Sequence, residues 1–212
     1  MGGFIPPFFF QFFQRTIMAS QVEICNSALN MLGANNITSL TEDSKNARLL
    51  NQRYNPVRDA VFRSHVWNCL IKRVELAQDT ATPTHEYAKQ YTLPSDCLRV
   101  LKIGGHHDSS SSDLDAGQKF KIEGRKLITD EATIYLIYIA LITDVNEYDT
   151  LLRETIAARL AAELAYAITS STTLAKSLKE TYLEKLREAR FTDATEGTAD
   201  NLDSSTFINA RY

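Results

Sequence analysis

Residues 60–76 read AVFRSHVWNCLIKRVEL, and within this stretch the apolar spacing changes from helical to extended. Upstream, Ala47, Leu50, Tyr54, Val57 and Val61 recur at steps of three and four, the stripe of a helix over roughly 42–64. Ser39-Leu-Thr-Glu42 has the spacing of a capping box for its start, and Pro56 predicts a kink or two shorter helices. Further upstream, Val22, Cys25, Leu29 and Leu32 line a first helix over 20–32. Ser20 caps it and Gly33 closes it. From Trp67 onward, six extended segments are expected: 67–76, 87–93, 97–103, 119–122, 126–129 and 133–142. Glu123-Gly124-Arg125 reads as a hairpin turn, and the almost continuously apolar TIYLIYIALI (133–142) as a central strand covered on both faces.

The last third returns to helical spacing. Leu152, Ile156, Leu160, Leu164 and Ile168 repeat every four residues behind a cap at Asp149 or Thr150. Ala157, Ala158, Ala161, Ala162 and Ala165 thin this helix, so that another can approach closely. A further helix spans about 174–191, and periodicity is lost from Thr192. The expected class is α+β: a helical bundle from N- and C-terminal helices, an inserted small antiparallel β-sheet, and an extended C-terminal tail. In segments this gives an aromatic-apolar leader (1–17), N-terminal helices (18–66), a β-rich insertion (67–145), C-terminal helices (146–192) and a docking tail (193–212).

Composition narrows the function. Of 212 residues, 44% are hydrophobic and 23% charged, which suits a chain that buries a core. A net charge of -3 argues against tight, sequence-independent nucleic-acid binding, which needs a concentrated basic surface. Cys25, Cys69 and Cys97 are odd in number and lack C-x-x-C spacing, so buried, inert thiols are expected and not a disulfide frame or zinc site. The leader MGGFIPPFFFQFFQ is too short to span a bilayer and has no basic residue ahead of its apolar run. It reads as a dispensable leader or upstream start, or alternatively as a sticky arm for a neighbouring subunit.

Chemistry-bearing motifs are scarce. No phosphate-binding glycine loop, dinucleotide fingerprint, H-E-x-x-H or G-x-S-x-G occurs. His106-His107-Asp108 adjoins a serine run and reads as a solvated loop, not a metal site. Asp113/Asp115 and Asp144/Glu147/Asp149 are the closest approach to a glycosidase pair, in places where loops and caps call for acids anyway. Arg53, Arg58 and Arg63 spiral around their helix and suit salt bridges to partners better than phosphate contacts. Trp67 reads as the anchor between bundle and sheet. No catalytic, cofactor or metal residues are assigned.

Several stretches carry a resemblance. RDAVFRSHVWN (58–68), YTLPSDCLRV (91–100), FKIEGRKLITD (120–130), ARLAAELA (158–165) and FINAR (207–211) run in order. Together they resemble the tail tubular protein A family, the head-to-tail adaptors of short-tailed phages. Cys69-Leu70 departs from the Phe-Ala expected after Asn68. The resemblance implies a structural virion protein of the tail, assembled in the host cytoplasm. It would be a subunit of a usually twelve-fold ring between portal protein and tail nozzle protein, lining the channel through which double-stranded DNA is ejected, with no membrane contact. Phe207, Ile208, Arg211 and Tyr212 would dock on the portal or a neighbour, and Trp67, Ala158, Ala162 and Ala165 would pack subunits together. A tail-associated cell-envelope glycan hydrolase and a helical interaction module outside any virion are the competing expectations.

Overall fold

The computed structural model describes residues 19–104 and 119–196. The leader, the His106-His107-Asp108 and Asp113/Asp115 clusters, and the docking residues Phe207, Ile208, Arg211 and Tyr212 all lie outside them. The fold is α+β. Its helices are α1 (Gln21–Met31), α2 (Lys45–Ser64), α3 (Thr150–Thr169) and α4 (Thr172–Thr195), with six strands between α2 and α3.

The local signals for α1 hold at both ends. Ser20 and Glu23 form a reciprocal capping box. At the other end Ala34 N–H reaches the Leu29 carbonyl and Gly33 N–H the Asn30 carbonyl, a Schellman closure that needs Gly33 at φ +64°. The expected box at Ser39/Glu42 does not form. Glu42 instead accepts from the Thr38 N–H and hydroxyl (2.8 and 2.9 Å), and Ser44 caps α2. Pro56 does not split α2, which is continuous. Pro56 and Gln52 are both exposed, so water can reach the carbonyl that loses its helical donor.

α3 is the hub of the bundle. It packs against α1, α2 and α4. Leu152, Ile156, Leu160 and Leu164 are buried, each contributing roughly 1.5–3 kcal/mol relative to exposure. Asp149 caps α3 through the N–H groups of Leu151 and Leu152. Ser170, left-handed at φ 57°, ends it, and Ser171 caps α4. α4 extends past the expected end at 191: Asp193 is helical and buried, not part of a tail.

The insertion holds all six expected strands: β1 (Ile71–Leu76), β2 (Lys89–Thr92), β3 (Cys97–Gly104), β4 (Phe120–Glu123), β5 (Lys126–Thr129) and β6 (Ile134–Ala140). Residues 68–70 form a 3₁₀ turn, which shortens the first strand. The strands form two antiparallel sheets, β1-β6-β3 and β2-β5-β4, where a single sheet is expected from sequence. A lone bridge, Gln78 to Tyr91, links β1's continuation to β2. Both sheets and the bundle share one buried core. The β4–β5 turn places Gly124 at φ +60° with Arg125 at negative φ, the type II′ geometry that matches strand twist.

β6 is central, as expected, but is covered on both faces only near its end. Ile134, Leu136 and Tyr138 are buried, while Tyr135 and Ile137 on the opposite face are half-exposed. β3 carries two register shifts, at Leu98 and Leu101. They direct Val100 and Ile103 inward while Arg99 and Lys102 share the outer face.

At the helix-to-strand junction, Asn68 N–H donates to Asp193 Oδ1 (2.9 Å) and the Asn68 amide to the Asp193 carbonyl (2.7 Å). Replacing Asp193 by Ala strands a part-buried N–H, and we expect a loss of about 1–3 kcal/mol in denaturant unfolding. Hydrogen bonds from the Thr38 backbone, then from Ser44 and Thr38 side chains, hold the Glu42 carboxyl down to about 2. Since the folded value lies below the unfolded one, this contribution is present above about pH 4.5 and fades as pH falls toward 2. Glu42→Gln should therefore flatten the stability profile in that window, read by chemical denaturation at successive pH values.

Candidate assembly surfaces

Trp67 is 1% exposed and sits just past the end of α2. The last carbonyls of a helix have no helical partners. Here Trp67 Nε1–H donates to the Val61 carbonyl (3.0 Å), Arg190 of α4 to that of Ser64 (2.6 Å) and Arg99 of β3 to that of Arg63 (3.4 Å). His65 stacks edge-on against Trp67 with 4.9 Å between centroids, and its Nε2 lies 3.2 Å from Asp193 Oδ2 without hydrogen-bond alignment. Trp67 is thus an anchor within the chain, as its position at the change of period suggests. Its burial leaves no ring surface for a neighbour.

The alanines are likewise occupied within the chain. Ala158 and Ala165 are buried and Ala162 half-buried, because α3 is enclosed by α1, α2 and α4. Close approach occurs, but to helices of the same subunit. Arg53, Arg58 and Arg63 of α2 also find internal partners. Arg53 pairs with Glu163, and Arg63 donates to the Leu98 carbonyl. Arg58 is buried against Asp59 (2.8 Å), its guanidinium within 6 Å of the Tyr54 and Phe62 rings.

Two exposed surfaces differ in character. On α4, Phe191 (73% exposed) points away from Leu178, Leu186 and Ala189, and Leu183 (47%) lies at the margin of the same open side. On sheet β1-β6-β3, Tyr135 and Ile137 run between exposed Arg73 on β1 and Arg99 and Lys102 on β3. Sequence reading misses the second surface, because residues 99 and 102 would face opposite ways in a regular strand.

Asp144 and Asp149, acidic candidates within the described residues, have local structural partners. Asp144 accepts the Asn146 N–H (2.9 Å), which lowers its carboxyl below the usual range, and Asp149 is a cap. A shallow groove of about 410 Å³ crosses sheet β2-β5-β4, lined by His85, Glu86, Lys121 and Lys126. Its charges pair among themselves and with Asp79. Among the described residues no three or more His, Cys, Asp or Glu are placed to hold a metal ion, and no helix is long and apolar enough to cross a membrane. Burial pushes the Cys25 thiol up to about 12 and raises Cys69 and Cys97 as well, so all three free cysteines stay protonated at neutral pH. The chain matches no family model, and no curated protein is significantly similar to it.

The enclosure of α3 makes a direct prediction. Ala158→Leu should destabilise the isolated subunit by about 1–3 kcal/mol through overpacking, seen as a lower urea midpoint. An unchanged midpoint would place Ala158 on an outer surface.

Proposed function

We propose that this chain is a structural subunit of a virion adaptor ring joining portal to tail nozzle and surrounding the DNA channel. One observation carries the reading: three of the stretches that resemble the adaptor family meet one another at the joints of the fold. Arg63, in the first, donates to the Leu98 carbonyl in the second. Arg125, in the third, donates to the Pro94 carbonyl and accepts from the Leu93 N–H, both in the second. ARLAAELA forms the buried centre of α3. Words scattered over more than a hundred residues thus describe one connected scaffold, in which a β insertion projects from a helical bundle.

The scaffold suits a rigid ring component. Bundle and insertion are joined through Asp193 of α4 to Asn68 and through Arg63 of α2 to the Leu98 carbonyl of β3, while Arg190 ties α4 to the end of α2. The closing peptide, with Phe207, Ile208, Arg211 and Tyr212, supplies the docking segment in this proposal, ordering on the portal as it binds. A chain truncated after Glu196 should keep its thermal midpoint yet fail to join tails to filled heads in a reconstitution assay. If the truncated chain joins them as well as the full one, the docking role of the tail is wrong.

A further inference from the structure

The two open surfaces complement one another. The outer face of sheet β1-β6-β3 can be read row by row: Ile71, Ile139 and Arg99; then Arg73, Ile137 and Lys102; then Glu75, Tyr135 and Gly104. Ile139 is buried, but Ile137 and Tyr135 remain half-exposed, with three exposed cations beside them against one exposed carboxylate. Gly104 adds no side chain next to Tyr135, which leaves that end of the strip open. An apolar strip with a basic rim calls for a partner with apolar knobs and an acidic rim.

The exposed face of α4 has that character. Leu183 and Phe191 stand two turns apart, and Glu180, Glu184 and Glu188 rise beside them at one-turn intervals, all exposed. Lys179 and Arg187 are the exposed cations one turn either side of Leu183, since Lys185 is turned to Glu154 of α3 and Arg190 to the Ser64 carbonyl; none lies beside Glu188 on the far side of the face. We propose that the α4 face of one copy docks on the outer face of sheet β1-β6-β3 in a second copy. Leu183 and Phe191 lie along Ile137 and Tyr135, and Glu184 and Glu188 face Arg73, Arg99 and Lys102. Two unlike patches in contact make a heterologous interface, which propagates from copy to copy and closes when the rotation divides the circle. The inference rests on the adaptor-ring reading, which supplies the need for copies to meet, and it assigns that contact to residues other than the α3 alanines.

Charge reversal tests it. A sheet variant, Arg73→Glu with Lys102→Glu, carries two acidic faces, and a helix variant, Glu184→Lys with Glu188→Lys, carries two basic ones. Full-length wild-type chain should associate with rising concentration in mass photometry and sedimentation, and less so at high salt. Either variant alone should lose self-association by about a hundredfold or more. An equimolar mixture should recover it, because every junction in an alternating assembly again pairs acid with base. A mixture that stays monomeric, variants that assemble as wild type does, or a wild-type chain that never self-associates would each overturn the contact. A sheet variant that self-assembles normally but no longer joins the portal would give that face to the portal, and would likewise overturn it. The adaptor reading is judged separately, by whether wild-type protein joins portal to nozzle.

Discussion

The C-terminal end of α2, where bundle meets insertion, is the constraint on which the molecule turns. A helix end presents carbonyl oxygens with no helical donors, and those shielded from water need a partner from elsewhere. Here the donors come from three places in the sequence: the Trp67 indole six residues on, Arg99 from β3 and Arg190 from α4. Asp193 adds the reciprocal grip, taking both the backbone and side-chain N–H groups of Asn68. Each bond is modest by itself. Their convergence means that the bundle and the insertion share one geometry, because turning either would strand several polar groups at once.

Whatever depended on neighbours in sequence was legible in it. Ser20 and Asp149 as caps, Gly33 as closure, the Gly124 hairpin and the six extended segments all rest on interactions within a few residues. What failed was competition between near-equal local choices, or pairing over distance. Ser39-x-x-Glu42 had the spacing of a start for α2, but Glu42 found Thr38 and Ser44 took the cap. The division into two sheets lies in no single segment, since it depends on which strands β5 and β6 meet. The alanines of α3 announced close helix contact without saying whose helix would come, and three helices of the same chain came. The basic sheet face was invisible for a further reason. A one-residue slip at Leu101 of β3 sets Arg99 and Lys102 on one side, and their company, Arg73, lies 26 positions before the nearer of them.

Net charge proved a poor guide to local character. The chain is slightly acidic as a whole, yet one sheet face concentrates cations and one helix face concentrates glutamates. Averaging conceals this, as it must when opposite patches cancel. For a subunit proposed to stand beside a polyanion, the cancellation matters. Basic groups engaged by a neighbouring copy would not present themselves to DNA, so a conduit built this way keeps its cations out of the path.

The arrangement around α3 also bears on how the chain comes into being. α1 and α2 each lean on α3, which follows them after some eighty-five residues of insertion. Emerging from a ribosome, the first two helices therefore carry apolar stripes with nothing to cover them until the whole β region and most of α3 have been made. The nascent polypeptide keeps those stripes uncovered until late in synthesis, and the bundle closes only once α3 has emerged. For the proposed ring component, late completion acts as a brake: the α4 face, which follows α3, is finished only when synthesis is almost over.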